Sequence, residues 1–292
     1  MSDSPKQSRF VAVVRNIFSN RLHQEAVGYE TTADAFTIRH EEMLAYAKAC
    51  EDNNPVYEKE EEIPVVPLFA SRILAGVLEE CILHKKLGIN LLKMVHAEQS
   101  LTFEKPLFVG DTVVPWACIE AVRQVSSGWL VDINLRLLRD EEPVVTGVAS
   151  MFMRGNGTGQ KSLKKDDDVP QLTEVQRFTV LHDQPQRYAR ASGDWNPIHT
   201  KKWVAKLAGF GAPIAHGLCV MGMTAGVLVD RFADGDPTAL RHIGLRFSKP
   251  AYPGKELVLR AGEDEAGIHF VLENHKGKPV LSRGVFRCNK QD

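Results

Sequence analysis

The segment Ser192-Gly193-Asp194-Trp195-Asn196-Pro197-Ile198-His199 sets a carboxylate and an imidazole on either side of an Asn-Pro step. Proline disfavours the helical region for the residue before it, so Asn196 must turn the chain. Gly193 tolerates a left-handed backbone and can end a preceding helix. Asp194 and His199 therefore project from one constrained loop and can hold a water between them. An imidazole with an ordinary pKa of about 6.5 trades protons near neutrality. The carboxylate orients the water and takes part in moving its proton. Read alone, the same string is also an Asx-Pro turn with a capping aspartate and a surface histidine.

A second signal lies seventeen residues past His199, where His216-Gly217 opens a long apolar helical pattern. The first N–H groups of a helix have no intrahelical acceptor and carry partial positive charge. They suit a thioester carbonyl whose oxygen turns negative in an enolate-like transition state. The Gly217 amide is the candidate oxyanion donor; its alternative reading is a point of close packing.

These residues sit in the second of two similar halves. Tyr46-Ala-Lys-Ala-Cys-Glu-Asp52-Asn-Asn54-Pro55-Val-Tyr57 stands opposite Tyr188-Ala-Arg-Ala-Ser-Gly-Asp194-Trp-Asn196-Pro197-Ile-His199. Pro67-Leu-Phe-Ala-Ser matches Pro213-Ile-Ala-His-Gly217, and Leu101-Thr-Phe-Glu-Lys-Pro106 matches Leu245-Arg-Phe-Ser-Lys-Pro250, with Gly110 and Gly254 following at equal distance. Three matched blocks in one order mark an internal duplication. Between them, residues 155–173 are rich in glycine, lysine and aspartate and nearly free of apolar residues, which reads as a linker. The expected units are 1–154, a linker 155–173, and 174–292.

Each half reads as a short strand (Phe36 to Arg39; Val175 to Val180), a short helix, the Asn-Pro loop and a helix of four or five turns (Leu68 to Lys86; Ile214 to Phe232). Strand-like runs follow. Helices apolar nearly all round are buried helices, and antiparallel strands after a helix imply an α+β fold with a sheet wrapped on that helix.

Composition excludes several classes. The 292 residues carry 36 basic and 37 acidic side chains and a net charge of −1, which leaves no footprint for nucleic acid or an anionic membrane. No apolar stretch is long and uncharged enough to span a bilayer. Cys50, Cys81, Cys118, Cys219 and Cys288 are odd in number and lack metal-ligand spacing, so neither a disulfide framework nor a structural zinc is expected. Met1 to Asn20 is polar, and its apolar run Phe10 to Val14 is too short for a signal segment. A cytoplasmic protein is expected by elimination.

Tyr188 through His199, together with Pro213-Ile-Ala-His-Gly217 and the spacing between them, resembles the hydratase-2 motif of MaoC-like, R-specific enoyl-CoA hydratases. The resemblance implies a double hot-dog fold, two curved antiparallel sheets each wrapped on a long helix. It implies addition of water to trans-2-enoyl thioesters of coenzyme A or acyl-carrier protein, giving (3R)-3-hydroxyacyl thioesters, or the reverse dehydration, in fatty-acid metabolism. It implies no cofactor and no metal, and it suggests a homodimer. Carried over, Asp194 and His199 form the catalytic pair and Gly217 supplies the oxyanion amide. Asn196, His216 and Tyr188 orient the loop or meet the substrate.

The sequence departs from the family at two places. Some members have a loop-orienting serine on the central helix where this chain has Ala225, beside Thr224. The first half has Tyr57 at the position of His199, and a tyrosine with an ordinary pKa of about 10 is a poor base at neutral pH. The first half therefore reads as a degenerate copy that holds the acyl chain, with a second site at Asp52 and Tyr57 as the alternative. His40, His84, His96, His242 and His269 read as surface or core histidines, and Lys201, Lys202 and Lys206 as solvated side chains or as contacts for a coenzyme-A phosphate. A hot-dog thioesterase and a non-catalytic thioester-binding module are the competing functions.

Overall fold

A computed structural model describes residue 19, residues 21–159 and residues 170–289. Residues 1–18, and 160–169 of the expected linker, lie outside the described residues.

The first half opens with β1 (Glu30–Thr32) and β2 (Phe36–Thr37), followed by helix α1 (His40–Ala49), a 3-10 turn at Pro55–Glu58 and helix α2 (Phe69–Leu83). Strands β3 (Met94–Phe103), β4 (Thr112–Val125), β5 (Gly128–Arg139) and β6 (Glu142–Arg154) complete it. The second half repeats the order: β7 (Thr173–Thr179), α3 (Gln184–Ser192), a 3-10 turn at Pro197–His199, the short α4 (Lys202–Leu207), α5 (Gly217–Phe232), then β8 (Leu240–Phe247), β9 (Glu256–Asp264), β10 (Gly267–Asn274) and β11 (Pro279–Cys288).

The strands form one eleven-stranded sheet in the order β1-β4-β5-β6-β3-β8-β11-β10-β9-β7, with β2 beside β4. Neighbours pair antiparallel throughout. Helix α2 packs on β4 and β5, and α5 on β8 and β11. The α+β expectation of a helix wrapped by a curved sheet is met in each half.

The halves join through β3 and β8, which are counterparts in the repeat. Ser100 pairs with Gly244, its own counterpart, and the register is symmetric about that pair, from Glu98↔Arg246 to Thr102↔His242. An approximate two-fold axis therefore crosses the sheet at Ser100–Gly244. Tyr46 and Tyr188, also counterparts, are both buried and meet hydroxyl to hydroxyl at 3.1 Å.

Several element ends differ from the sequence reading. The second long helix starts at Gly217 rather than Ile214, because the Ile214 and Ala215 N–H groups bond to Ile198 O and Ala251 O and hold that stretch extended. The first long helix stops at Leu83, before the basic run. The first strand shortens to Phe36–Thr37, because Arg39 is already the extended residue that caps α1. The two equidistant glycines, Gly110 (φ +95°) and Gly254 (φ +76°), both adopt the left-handed conformation that favours glycine.

Candidate active site

Helix α3 ends where the sequence requires it, at Gly193 with φ +80°. The chain then makes a ladder of side chain–backbone bonds. Ser192 Oγ donates to Tyr188 O at 2.7 Å and accepts from Asp194 N at 3.2 Å. Asn196 N donates to Asp194 Oδ1 at 3.0 Å, and Ile198 N to Asn196 Oδ1 at 3.2 Å. Pro197 then begins the 3-10 turn that carries His199. Short polar side chains next to proline favour this construction, since each accepts from an N–H two residues on.

The ladder brings the predicted pair together. Asp194 is exposed while His199 and His216 are buried, and one donor atom from each lies within 4.8 Å of the others. His199 Nδ1 lies 2.9 Å from Ile214 O, and His216 Nε2 lies 3.1 Å from Asp194 O. A carbonyl oxygen only accepts, so each of these nitrogens carries a proton. In the neutral ring the other nitrogen of each, Nε2 of His199 and Nδ1 of His216, keeps its lone pair. The two rings stack with centroids 3.7 Å apart. Burial lowers the pKa of His199 against the opposing pull of Asp194. Burial, and then the neighbouring His199, bring His216 down to about 4. Both rings are thus proton acceptors at neutral pH. Asp194, His199 and His216 also form a donor set that could hold a metal ion.

Gly217 is the first residue of α5, with its N–H in the unpaired first turn. A Cβ there would lie 2.9 Å from the Phe247 ring, which supports the close-packing reading of Gly217. Tyr188 stands behind the site: its ring packs on His216 at 4.9 Å and its hydroxyl is committed to Tyr46, which leaves its carbonyl as the part that steadies the loop. Thr224 does not take over the missing serine's role, because its buried hydroxyl donates to Val220 O within its own helix.

The first half builds the same loop and closes it. Asn54 N and Val56 N repeat the ladder at 3.4 and 3.0 Å. Tyr57 Oη donates to Asp52 Oδ2 at 3.0 Å, and both residues are buried. Burial raises Asp52 to about 6 and pushes Tyr57 far above its ordinary range. Ala70 and Ser71 occupy the positions of His216 and Gly217. A phenol locked onto its carboxylate cannot share a water with it in the way expected of Asp194 and His199.

One residue near the site escaped the sequence reading. His96 of β3, taken as a core or surface histidine, packs 5.0 Å from Phe247 and interacts electrostatically with Asp194. Its Nε2 is covered and has no partner among the described residues. It arrives across the β3–β8 seam, a long-range pairing that no local spacing encodes.

Residues 167–280 match the family model "MaoC like domain", and residues 25–146 match "FAS1-like, dehydratase domain region". The 3-hydroxyacyl-thioester dehydratase X of Mycobacterium tuberculosis is 31% identical over 196 residues, covering 65% of this chain and 68% of that protein. The chain belongs to the MaoC-like dehydratase family. The peroxisomal multifunctional enzyme type 2 of Mus musculus is 30% identical over 277 residues, covering 88% of this MaoC-like chain. The chain spans only 37% of that enzyme's length and 46% of its Drosophila melanogaster relative. Among solved structures, the MaoC-like dehydratase from Phytophthora capsici superposes with a TM-score of 0.78 over 96% of this chain and 98% of its own, at 24% identity. A Mycobacterium tuberculosis protein described as a double hotdog superposes with a TM-score of 0.63 over 90% of this chain and 96% of its own, at 11% identity. These two likenesses show the fold, and it is the double hot-dog that the resemblance implies.

Proposed function

We propose that this chain catalyses the reversible hydration of trans-2-enoyl thioesters to (3R)-3-hydroxyacyl thioesters, in fatty-acid metabolism. The observation that carries the reading is the convergence of the Asp194, His199 and His216 donor atoms within 4.8 Å, with His199 Nδ1–H fixed on Ile214 O. In the proposed reaction a water sits between the Asp194 carboxylate and His199 Nε2. Its oxygen bonds to C3 of the enoyl group, and the proton it gives up is delivered to C2. The charge that builds on the thioester oxygen meets the Gly217 N–H. No step needs a metal or a redox group.

The division of labour between 1–154 and 174–292, with 155–173 as linker, belongs to the same proposal. Helix α2 is buried along most of its length in the first-half sheet. The first half, as the degenerate copy, is proposed to hold the acyl chain, with His96 of β3 and Phe247 of β8 standing near the catalytic loop. The carrier is coenzyme A or acyl-carrier protein, and a homodimer is expected as in the sequence reading. Among the described residues no helix is long and apolar enough to cross a membrane. Five free thiols suit a reducing compartment, the cytoplasm in this proposal, although several relatives bear peroxisomal names.

The test is to incubate the purified chain with trans-2-butenoyl-CoA, following loss of the conjugated enoyl absorbance beside a free-thiol assay. Loss of absorbance without thiol release is the expected result. Thiol release would identify a thioesterase. An inert protein that still binds the thioester would be a binding module.

A further inference from the structure

The two histidines of the site are held as tautomers that leave a lone pair on each. His199 commits its Nδ1–H to Ile214 O at 2.9 Å, and His216 commits its Nε2–H to Asp194 O at 3.1 Å. His199 Nε2 and His216 Nδ1 are therefore the acceptors. The proposed hydration uses only the first. His216 Nδ1 is covered from solvent and has no partner among the described residues, in a side chain that is almost wholly buried. A buried polar atom left unpaired costs free energy, so its presence beside a reactive carboxylate calls for a ligand. Asp194 commits Oδ1 to Asn196 N, which leaves Oδ2 on the exposed side of the loop.

We propose that Asp194, His199 and His216 form an inhibitory zinc site that turns the enzyme off reversibly. The site stands on this geometry, while its effect on turnover rests on the hydratase reading above. Two imidazole nitrogens and one carboxylate oxygen make a three-ligand zinc site with one position open to water. Each ring's other N–H is held by a backbone carbonyl, the outer-shell bond that orients a metal-binding histidine. The three donor atoms lie within 4.8 Å of one another. A tetrahedral ion with bonds of about 2.0–2.1 Å holds its ligand atoms roughly 3.3 Å apart, so a closure of about 1.5 Å at most completes the set. The stacked rings, with centroids 3.7 Å apart, already stand near that spacing and splay as the ion seats. Imidazole ligands favour zinc over magnesium or calcium, which take oxygen. A zinc ion on His199 Nε2 occupies the lone pair that must accept the water's proton. It also fills the space that this water needs beside Asp194.

The test titrates the untagged, chelator-stripped chain with zinc chloride, followed by calorimetry, and with cobalt chloride as a visible-absorbance probe. One ion per chain is expected, with the cobalt bands of a four-coordinate site. His216→Gln is expected to weaken the zinc Kd at least about tenfold, and Asp194→Asn/His199→Gln/His216→Gln to abolish binding. A zinc-soaked crystal of the wild-type chain needs no variant to fold, and its anomalous peak is expected among these three side chains. In the hydration assay, zinc is expected to stop turnover of trans-2-butenoyl-CoA, a chelator to restore it, and magnesium to have no effect. Zinc binding that survives the triple variant, or an anomalous peak elsewhere, would overturn the site. Zinc seated there with turnover unchanged or raised would overturn the inhibition. A chain that hydrates the ester but binds no zinc would lose the metal site and keep the hydratase reading. A chain inert toward the ester that still binds one zinc at these residues would keep the site and lose that reading.

Discussion

The hydroxyls of Tyr46 and Tyr188, counterparts in an internal repeat, meet 3.1 Å apart in the core between the two halves. Burial pushes both phenols well above their ordinary pKa, so each stays protonated. Removing one hydroxyl leaves the other buried without this partner, at a cost of about 1–3 kcal/mol, whereas removing both is milder. Tyr46→Phe and Tyr188→Phe are therefore expected to destabilise singly, and the double variant by less than their sum. Denaturant unfolding of the four proteins checks this, and strictly additive losses would contradict it.

Asp52 bears on pH stability. Burial raises its folded pKa from 3.8 to about 6. A raised carboxyl contributes stability that is full below its unfolded pKa and is lost as pH rises through the folded one. At pH 7.5 the protein thus carries a buried charge, and Asp52→Asn is expected to stabilise it by roughly 1–3 kcal/mol, a gain that shrinks toward pH 4. Thermal melts of both proteins across that range measure it. A melting temperature that falls on substitution at pH 7.5 would refute the assignment.

In the proposed reaction His199 sets the acid limb of activity. Burial lowers its pKa below the ordinary 6.5. The free enzyme's kcat/KM is expected to hold as pH falls past that value and to drop only at lower pH. A pH–rate profile with its acid midpoint above 6.5 would assign the limb to another group. Asp194→Asn and His199→Ala are each expected to cost at least about a hundredfold. Tyr57→Phe, in the closed copy, is expected to change turnover only a few-fold.

Gly217 is held between two requirements. In the proposed reaction its N–H faces the thioester, and a Cβ would lie 2.9 Å from Phe247. Gly217→Ala keeps the N–H but is expected to lower kcat at least about tenfold, because the clash moves that donor away from the oxyanion. Gly217→Ala/Phe247→Ala is expected to recover part of that loss by removing the clash. No recovery in a protein that folds normally would separate the defect from the packing contact.

Much of this architecture was legible from the chain. The duplicated Asn-Pro and Lys-Pro blocks announced the repeated order of elements, and Gly193 and Pro197 fixed the Asp194–His199 loop because their backbone limits are local. The start of α5 was misplaced by three residues because the bonds that hold Ile214 and Ala215 extended come from Ile198 and Ala251, across the fold. His96 was missed for the same kind of reason, since its neighbour Phe247 reaches it through strand pairing. The locked Asp52–Tyr57 bond was half visible: the sequence showed the wrong base, while the closure depended on burial.

The most direct test is to run the reaction on trans-2-butenoyl-CoA in oxygen-18 water and locate the label by mass spectrometry. One oxygen-18 atom is expected at C3 of an intact, (3R)-configured 3-hydroxybutanoyl thioester, and the label is expected to vanish with Asp194→Asn or His199→Ala. Label in the carboxylate of a released free acid, or C3 labelling that survives both substitutions, would contradict water activation by this pair.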